Sequence, residues 1–235
     1  MTELWTTLTR FAHPYEAQWM TWTLPAVLLV LAALLALPLL RRWREEHALL
    51  RRIRRLGTAS LHNVVIPDGI GGTVFLDHVV LHPDGILVLP VRRYQGAVFA
   101  ADRIDTWTQV LGKRSYKFPN PLRELETALL AVRNLAPGVN VAGYLLVTRE
   151  AAFPKGKPEA IVSFAEARQR WGSGRKRTLS PALQAAWHNL RDHAQPLDRQ
   201  WQQEVLEPEK TARSTLVVAG LLLLAAVAWL GWRLK

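Results

Sequence analysis

The stretch GGTVFLDHVVLHPDGILVLPVRRYQG, residues 71–96, decides the fold of this chain. It contains two runs rich in Val, Ile and Leu, Thr73–His82 and Gly85–Val91, on either side of the turn sequence His82-Pro83-Asp84-Gly85. Aliphatic and β-branched residues favour strands, and an Asp-Gly pair between two such runs is typical of a tight hairpin. The sequence therefore predicts an antiparallel hairpin with one acidic residue, Asp77, inside its first strand.

The segments around this hairpin predict a mixed α/β domain. Further strands are expected at His62–Ile66, near Ala97–Ala100, at Val141–Val147 and near Ala160–Ser163. Helices are expected at Pro121–Leu135, from Ser163 onward, and from Ser180-Pro181 to about His193, because serine N-caps and first-turn prolines favour helix starts. The continuous apolar run Val141–Val147 is typical of a strand that is covered on both faces.

Two uncharged apolar stretches, Trp22–Leu40 and Ser214–Trp232, bracket the polar part of the chain. At a rise of about 1.5 Å per residue each can cross a hydrocarbon core of about 30 Å, and neither has a polar face. We therefore expect a tail at 1–21, a first transmembrane helix at 22–40, a basic amphipathic helix at 41–56, the α/β domain at 57–195, a linker at 196–213, a second transmembrane helix at 214–232 and a tail at 233–235.

Basic residues lie on the inner flanks of both predicted spans. Because Lys and Arg remain on the cytoplasmic side, we expect a multi-pass protein of a bacterial-type inner or plasma membrane, with a cytoplasmic domain and both termini extracytoplasmic. Seven arginines after the first span are predicted to contact anionic lipid headgroups: Arg41, Arg42, Arg44, Arg51, Arg52, Arg54 and Arg55.

The chain has a formal net charge of +11 and no cysteine. The lack of cysteine excludes disulfides, thiol catalysis and thiolate metal sites. The seven juxtamembrane arginines explain much of the positive charge. A separate cluster, Arg175, Lys176 and Arg177, lies in the loop sequence GSGRKRTLSP, where a phosphate contact and a solvated loop are the two interpretations.

The chain resembles the NERD, or nuclease-related, domain over about Glu46–Val147. The residues that carry the resemblance are the stretch at 71–96, then Trp107, Tyr116-Lys117 and FPNPLREL at 118–125. The shared pattern is an aspartate in a strand, an Asp-Gly turn, a strand ending in aromatic-x-Gly, and Asn-Pro-Leu at the start of a helix. The resemblance implies a restriction-endonuclease-like fold of the PD-(D/E)xK type, in which a mixed sheet is flanked by helices and the metal site lies on the hairpin strands.

The resemblance also implies a candidate site. Asp77 stands where the family places its strand carboxylate, Glu46 matches the acid on the preceding helix, and the E-x-K element falls on Pro90-Val91-Arg92. Cleavage of a phosphodiester at such a site uses carboxylates around Mg²⁺ together with a lysine. Pro90 supplies no carboxylate, and Arg92 cannot give up its proton to act as a base. Glu124 is either a replacement ligand beside Asp77 or a solvated helix residue.

Three classes of function follow. The first is a membrane-anchored, catalytically impaired nuclease-related module that binds nucleic acid or a protein partner and needs no cofactor. The second is an active Mg²⁺-dependent nuclease that uses Asp77, Glu124 and Glu46, with Arg92 stabilising charge. The third is a structural or assembly protein of the membrane without nucleic-acid binding. For the first class, the side chains predicted to contact DNA or RNA are Arg92, Arg93, Lys113, Arg114, Lys117, Arg175, Lys176 and Arg177. No class requires an organic cofactor.

Overall fold

The computed structural model describes residues 3–147, 151–172 and 177–197, together with positions 218, 220–222, 224 and 227. The chain divides into two compact units, one made of Met1–Ala48 and Gln200–Lys235, the other of Leu49–Arg199.

The first element is helix α1, Glu3–Ile53, which runs without interruption through the predicted tail, the first span and most of the basic segment. Within it, Ala26–Ile53 is long and apolar enough to cross a membrane, with a mean hydropathy of 1.9 over its most apolar 18 residues, and it is the one helix of the described residues that meets this criterion. An apolar helix near an N-terminus is either a membrane span or a signal sequence. The predicted second span at 214–232 lies largely outside the described residues, so the two-span topology stays a prediction.

The second unit is a mixed α/β domain, as the sequence predicts. Its helices are α2 (Pro121–Leu135), α3 (Phe164–Trp171) and α4 (Pro181–His193). Its strands are β1 (Ala59–Pro67), β2 (Thr73–His82), β3 (Gly85–Val88), β4 (Val91–Arg92), β5 (Ala97–Phe99), β6 (Thr106–Leu111), β7 (Arg114–Pro119), β8 (Val141–Gly143), β9 (Leu145–Val147), β10 (Ile161–Ser163) and β11 (Gln195–Pro196).

Two of the predicted strands are each divided in two. Gly85–Val91 becomes β3 and β4, interrupted at Pro90, and Val141–Val147 becomes β8 and β9, interrupted at Tyr144. Hydrogen bonds from Tyr144 N–H to Val88 O (3.0 Å) and from Leu146 N–H to Pro90 O (2.8 Å) continue the ladder across both interruptions. These bonds connect the strand orders β11-β1-β2-β3-β8 and β10-β9-β4 into one mixed sheet.

Helices cover both faces of this sheet. Successive side chains of a strand point to opposite faces, and along β2 Val79 and Leu81 enter one core while Val80 enters the other. The larger core contains the apolar sides of α2 and α4. The smaller core contains the end of α1, through Ile53, and α3, through Trp171. Ile53 is completely buried in the domain, so the last turn of α1 packs on protein.

A second, three-stranded antiparallel sheet, β5-β6-β7, follows the hairpin in sequence. The sequence predicts only β5 of this sheet. Strands β6 and β7 form a hairpin closed by Gly112 and Lys113, and Gly112 has a φ of 59°, a conformation that glycine adopts without steric cost. Trp107 on β6 is completely buried.

The helix boundaries agree closely with the sequence prediction because each start has a side-chain cap. Asn120, Ser163 and Ser180 accept hydrogen bonds from the backbone N–H groups of Leu122, Glu166 and Leu183. At α3 the Glu166 carboxylate also accepts from Ser163 N–H, so this start is a complete capping box.

Candidate functional site

Asp77 lies in β2, next to the interruption between β3 and β4. Its side chain is 17% exposed. Its Oδ2 atom accepts a hydrogen bond of 2.8 Å from Val91 N–H, the backbone group that follows Pro90. The aspartate therefore joins β2 to the first residue of β4, and it faces the segment that the resemblance assigns to the E-x-K element.

Arg92 bridges Asp77 and Glu124. Its Nη1 atom donates to Asp77 Oδ2 at 2.9 Å, and its Nη2 atom donates to Glu124 Oε2 at 2.7 Å. Glu124 lies in the first turn of α2 and is 67% exposed, whereas the Arg92 side chain is 34% exposed. Three of the four residues predicted as catalytic are thus adjacent, with the guanidinium between the two carboxylates.

The guanidinium in this cluster is a permanent cation. Burial disfavours its charge, but the charges of Asp77 and Glu124 and the hydrogen bond to Glu124 outweigh that effect, so the pKa of Arg92 is raised. Tyr94 lies nearby, stacked on Phe118 with a ring-centroid distance of 5.2 Å. Burial raises the pKa of Tyr94 to about 12, with Arg92 opposing and Glu124 adding to the shift. Neither group exchanges a proton near neutral pH.

The donor set of this cluster does not fit a resident divalent cation. Mg²⁺ requires several oxygen ligands at about 2.0–2.1 Å. Position 90, where the resemblance places a second strand carboxylate, is a proline, and Asp77 Oδ2 already accepts from an amide and from Arg92. Among the described residues, no group of three or more His, Asp or Glu side chains is positioned to hold a metal ion. The positive charge between the carboxylates is supplied by Arg92 itself.

The fourth predicted catalytic residue, Glu46, lies on α1 in the other unit and is exposed. Its participation stays a prediction. The seven predicted membrane-facing arginines are all exposed. Two of them contact protein groups of the α/β domain: Arg52 lies over the Phe164 ring at 5.8 Å, and Arg54 Nε donates to His62 Nε2 at 3.5 Å.

The described residues predicted to contact nucleic acid lie on three different segments of the chain. Arg92 is held by its two carboxylates, and Arg93 beside it is exposed. Arg177 forms an ion pair of 2.7 Å with Asp84 in the β2–β3 turn. Arg175 and Lys176 lie outside the described residues. The remaining three, all exposed on the β6–β7 hairpin, are Lys113, Arg114 and Lys117.

A histidine pair, buried at His78 and half-buried at His62, was not predicted as a feature of the domain. His62 on β1 lies directly opposite His78 on β2, and their Nδ1 atoms are 3.0 Å apart. Burial first, and then the neighbouring His62, lower the pKa of His78 to about 3, against a weaker opposing effect of the Asp77 backbone. Burial and then Arg54 lower the pKa of His62. The alternation of strand side chains indicates from the sequence that His78 and Asp77 lie on opposite faces of β2, but the cross-strand partner of His78 can be identified only from the strand register.

A cavity of about 1090 Å³ lies apart from the residues predicted as catalytic. Its lining includes Tyr144, Lys157, Glu166 and Arg170. Lys157 Nζ contacts both carboxylate oxygens of Glu166, at 2.6 and 2.7 Å, so the two charges compensate each other. The guanidinium of Arg170 lies over the Tyr144 ring at 5.2 Å.

The mixed sheet, its two layers of helices and the aspartate on the central hairpin are consistent with the restriction-endonuclease-like fold that the resemblance implies. Residues 41–148 match the family NERD, the nuclease-related domain. This match confirms the resemblance inferred from the sequence.

An uncharacterised protein of Bacillus anthracis is similar to a shorter part of the chain. The two are 30% identical over 64 residues, which make up 27% of this chain and 30% of the relative. The alignment thus spans less than a third of the relative's length. No solved structure matches the chain significantly.

Proposed function

We propose that this protein is a membrane-anchored, nuclease-related module that binds nucleic acid at the cytoplasmic membrane face and does not cleave it through a bound metal ion. The observation that carries the proposal is the Arg92 bridge between Asp77 and Glu124. A metal-dependent nuclease needs that space for an exchangeable cation, whereas here a covalently attached cation neutralises the carboxylates.

Two further observations support the proposal, one for the membrane and one for nucleic acid. The apolar stretch of α1 presents its side chains outward, since 6% of its most apolar part is buried, and a core helix of a soluble protein would be mostly buried. The β6–β7 hairpin, Thr106–Pro119, has three basic residues and no acidic residue, the charge pattern that favours contact with phosphates.

The active-nuclease alternative is supported by one specific observation. Asp77 and Glu124 contact the two terminal nitrogens of the same guanidinium, so the two carboxylates lie close together. If Arg92 moved away, the pair would offer oxygen ligands to a metal. The experiment must therefore distinguish a protein in which Arg92 leaves the two carboxylates from one in which it stays between them.

Cleavage assays on the purified full chain in detergent test the proposal. Labelled single-stranded DNA, duplex DNA and RNA are incubated with Mg²⁺ or Mn²⁺. We expect wild type and Asp77→Ala to show the same background cleavage, while wild type binds nucleic acid with an affinity that falls steeply between about 50 and 200 mM salt. Cleavage by wild type that disappears in Asp77→Ala establishes the active alternative. Lack of binding at low salt favours the assembly role.

A reconstructed site provides the matched positive control. In the double variant Pro90→Glu/Arg92→Lys, a carboxylate and a lysine replace the proline and the fixed cation. We expect Mg²⁺ to raise the melting temperature of this variant, because a ligand that binds the folded state stabilises it by about 2.7 kcal/mol at a hundredfold excess over its Kd. Wild type should show no such shift, and adding Asp77→Ala to the double variant should remove it. A Mg²⁺ shift of equal size in wild type contradicts the proposal.

A further inference from the structure

The outer face of the three-stranded sheet carries a row of side chains that contains one aromatic residue, Phe99, and has a basic residue at each end. Phe99 on β5 lies opposite Thr108 on β6, and Thr108 lies opposite Lys117 on β7. Because side chains alternate along a strand, this row points away from Val98 and Trp107, which are completely buried in the larger core. Phe99, Thr108 and Lys117 therefore share the face of the sheet that is turned from the core.

Phe99 is only partly buried, and it belongs to neither hydrophobic core. The segment around Ala152 pairs with β5 on the side away from β6, through Val98 N–H to Ala152 O at 2.8 Å. This pairing brings Lys155 to the ring, with Nζ 5.8 Å from the ring centroid. The row therefore consists of Lys155, Phe99, Thr108 and Lys117, each on one of four adjacent chain segments.

The charges along this surface are uncompensated. Residues 97–100 and 106–119 contain no Asp or Glu. Within the described part of the chain, Lys117 and Lys155 on this face take part in no ion pair with a carboxylate, nor does Lys113 in the β6–β7 turn, in contrast to Arg92, Arg123 and Arg177. A surface with several unpaired cations attracts a polyanion.

We propose that the Phe99 face of the β5–β7 sheet binds single-stranded nucleic acid, with a base stacked on Phe99 and phosphates contacted by Lys155 and Lys117. This inference rests on the proposed function and identifies its ligand and its site. Adjacent strands are about 4.8 Å apart, so Lys117 is about 10 Å from Phe99 and can reach a neighbouring phosphate. An unpaired base can leave its stack for an aromatic ring, whereas a duplex keeps its bases inside, so a single strand is the preferred form.

The test measures binding of a fluorescent oligo-thymidine, its duplex with oligo-adenosine, and polyglutamate to the full chain in nanodiscs of neutral lipid. Phe99→Ala should weaken single-strand binding by about tenfold or more, and Phe99→Trp should retain it, because stacking on an aromatic ring supplies that affinity. Lys117→Gln should reduce the slope of log affinity against log salt by about 0.7, the value for one phosphate contact on a single strand.

Two control variants remove an aromatic side chain or a positive charge at positions away from the proposed binding face. Tyr116 is an exposed aromatic residue on the same strand as Lys117 but on the opposite face of the sheet, so Tyr116→Ala should leave single-strand binding unchanged. Arg168→Gln removes one exposed charge on α3 and should leave the salt slope unchanged.

The outcomes separate this inference from the proposed function. If wild type binds none of the nucleic acids at low salt, both fail. If wild type binds but Phe99→Ala has no effect, or if the duplex binds as tightly as the single strand, the inference alone fails. If Phe99→Ala weakens polyglutamate and oligo-thymidine equally, bases are not recognised and the surface binds acidic proteins instead, which also overturns the inference.

Discussion

Arg92 fixes the electrostatic character of the hairpin. A guanidinium cannot lose its proton and cannot be exchanged for another cation, so the charge between Asp77 and Glu124 is permanent. The sequence predicts that Arg92 cannot act as a base. It does not decide whether Glu124 is a metal ligand or a solvated helix residue. The structure shows that Glu124 is both exposed and bound, because its contact depends on how the first turn of α2 approaches β4, which local sequence does not encode.

The pair formed by His62 and His78 makes the stability of the domain depend on pH. The pKa of His78 is lowered from 6.5 to about 3 in the folded protein. Between these two pH values His78 therefore binds a proton in the unfolded chain but not in the folded one. Stability is therefore complete above pH 6.5 and is lost as pH falls toward 3, with a slope of up to about 1.4 kcal/mol per pH unit from this residue.

Urea unfolding of the full chain at pH 7 and pH 5 measures this slope. His78→Gln keeps a hydrogen-bonding group beside His62 but does not ionise, so the loss of stability between the two pH values should be smaller than in wild type by about 1–2 kcal/mol. His188→Gln, on the exposed side of α4, is the matched control and should retain the wild-type difference. Equal pH dependence in all three proteins contradicts the assignment.

At the scale of elements, α2 is held in place by the side chain that begins it. Asn120 is buried, and its Oδ1 atom accepts from Leu122 N–H at 3.0 Å. Its Nδ2 atom donates to the backbone oxygens of the loop that precedes β6, the shortest contact being 2.8 Å to Ile104 O. The Asn-Pro-Leu motif therefore does two things: it caps a helix and it anchors a loop. Only the first is visible in the sequence.

Substitutions of Asn120 separate the two effects. Asn120→Asp keeps the acceptor for Leu122 N–H but loses the donors to the loop, whereas Asn120→Ala loses both. We expect Asn120→Ala to destabilise the domain by about 2–4 kcal/mol, since a cap is worth about 1 kcal/mol and the loop carbonyls lose buried partners. Ser180→Ala at α4 removes a cap alone and should cost about 1 kcal/mol. Thermal unfolding measures all three, and equal effects of Asn120→Ala and Ser180→Ala contradict the anchoring role.

Elements with strong local patterns could be predicted, and those that depend on pairing could not. Strand β2 and helices α2 and α4 follow from aliphatic runs and capping residues, and their bounds agree with the structure. The division of Gly85–Val91 falls next to Pro90, which has no N–H to donate to the ladder. Strands β6 and β7 were not predicted because their sequences, TWTQVL and RSYKFP, mix polar and apolar residues without a strong strand pattern. Pairing with a neighbouring strand stabilises them instead.

At the scale of the whole molecule, the apolar part of α1 and the α/β domain belong to one continuous chain with no interrupting loop before Ile53. The seven arginines at 41–55 lie between the apolar stretch and the first strand, and this asymmetry underlies the predicted orientation. A domain with uncompensated basic residues on the cytoplasmic side would meet nucleic acid there, so the proposed function requires this orientation.

Cysteine labelling tests the orientation directly, because the chain has no cysteine of its own and each introduced thiol is a unique reporter. In intact bacterial cells we expect a membrane-impermeant maleimide to label Thr7→Cys and Lys235→Cys, which lie in the predicted extracytoplasmic tails. Arg191→Cys, on the exposed side of α4, should react only after the cells are lysed. Labelling of Thr7→Cys but not of Lys235→Cys indicates a single span, since the C-terminus then remains inside. Labelling of Arg191→Cys in intact cells places the domain outside and removes the basis for nucleic-acid binding, because the domain would then be separated from cytoplasmic DNA and RNA by the membrane itself.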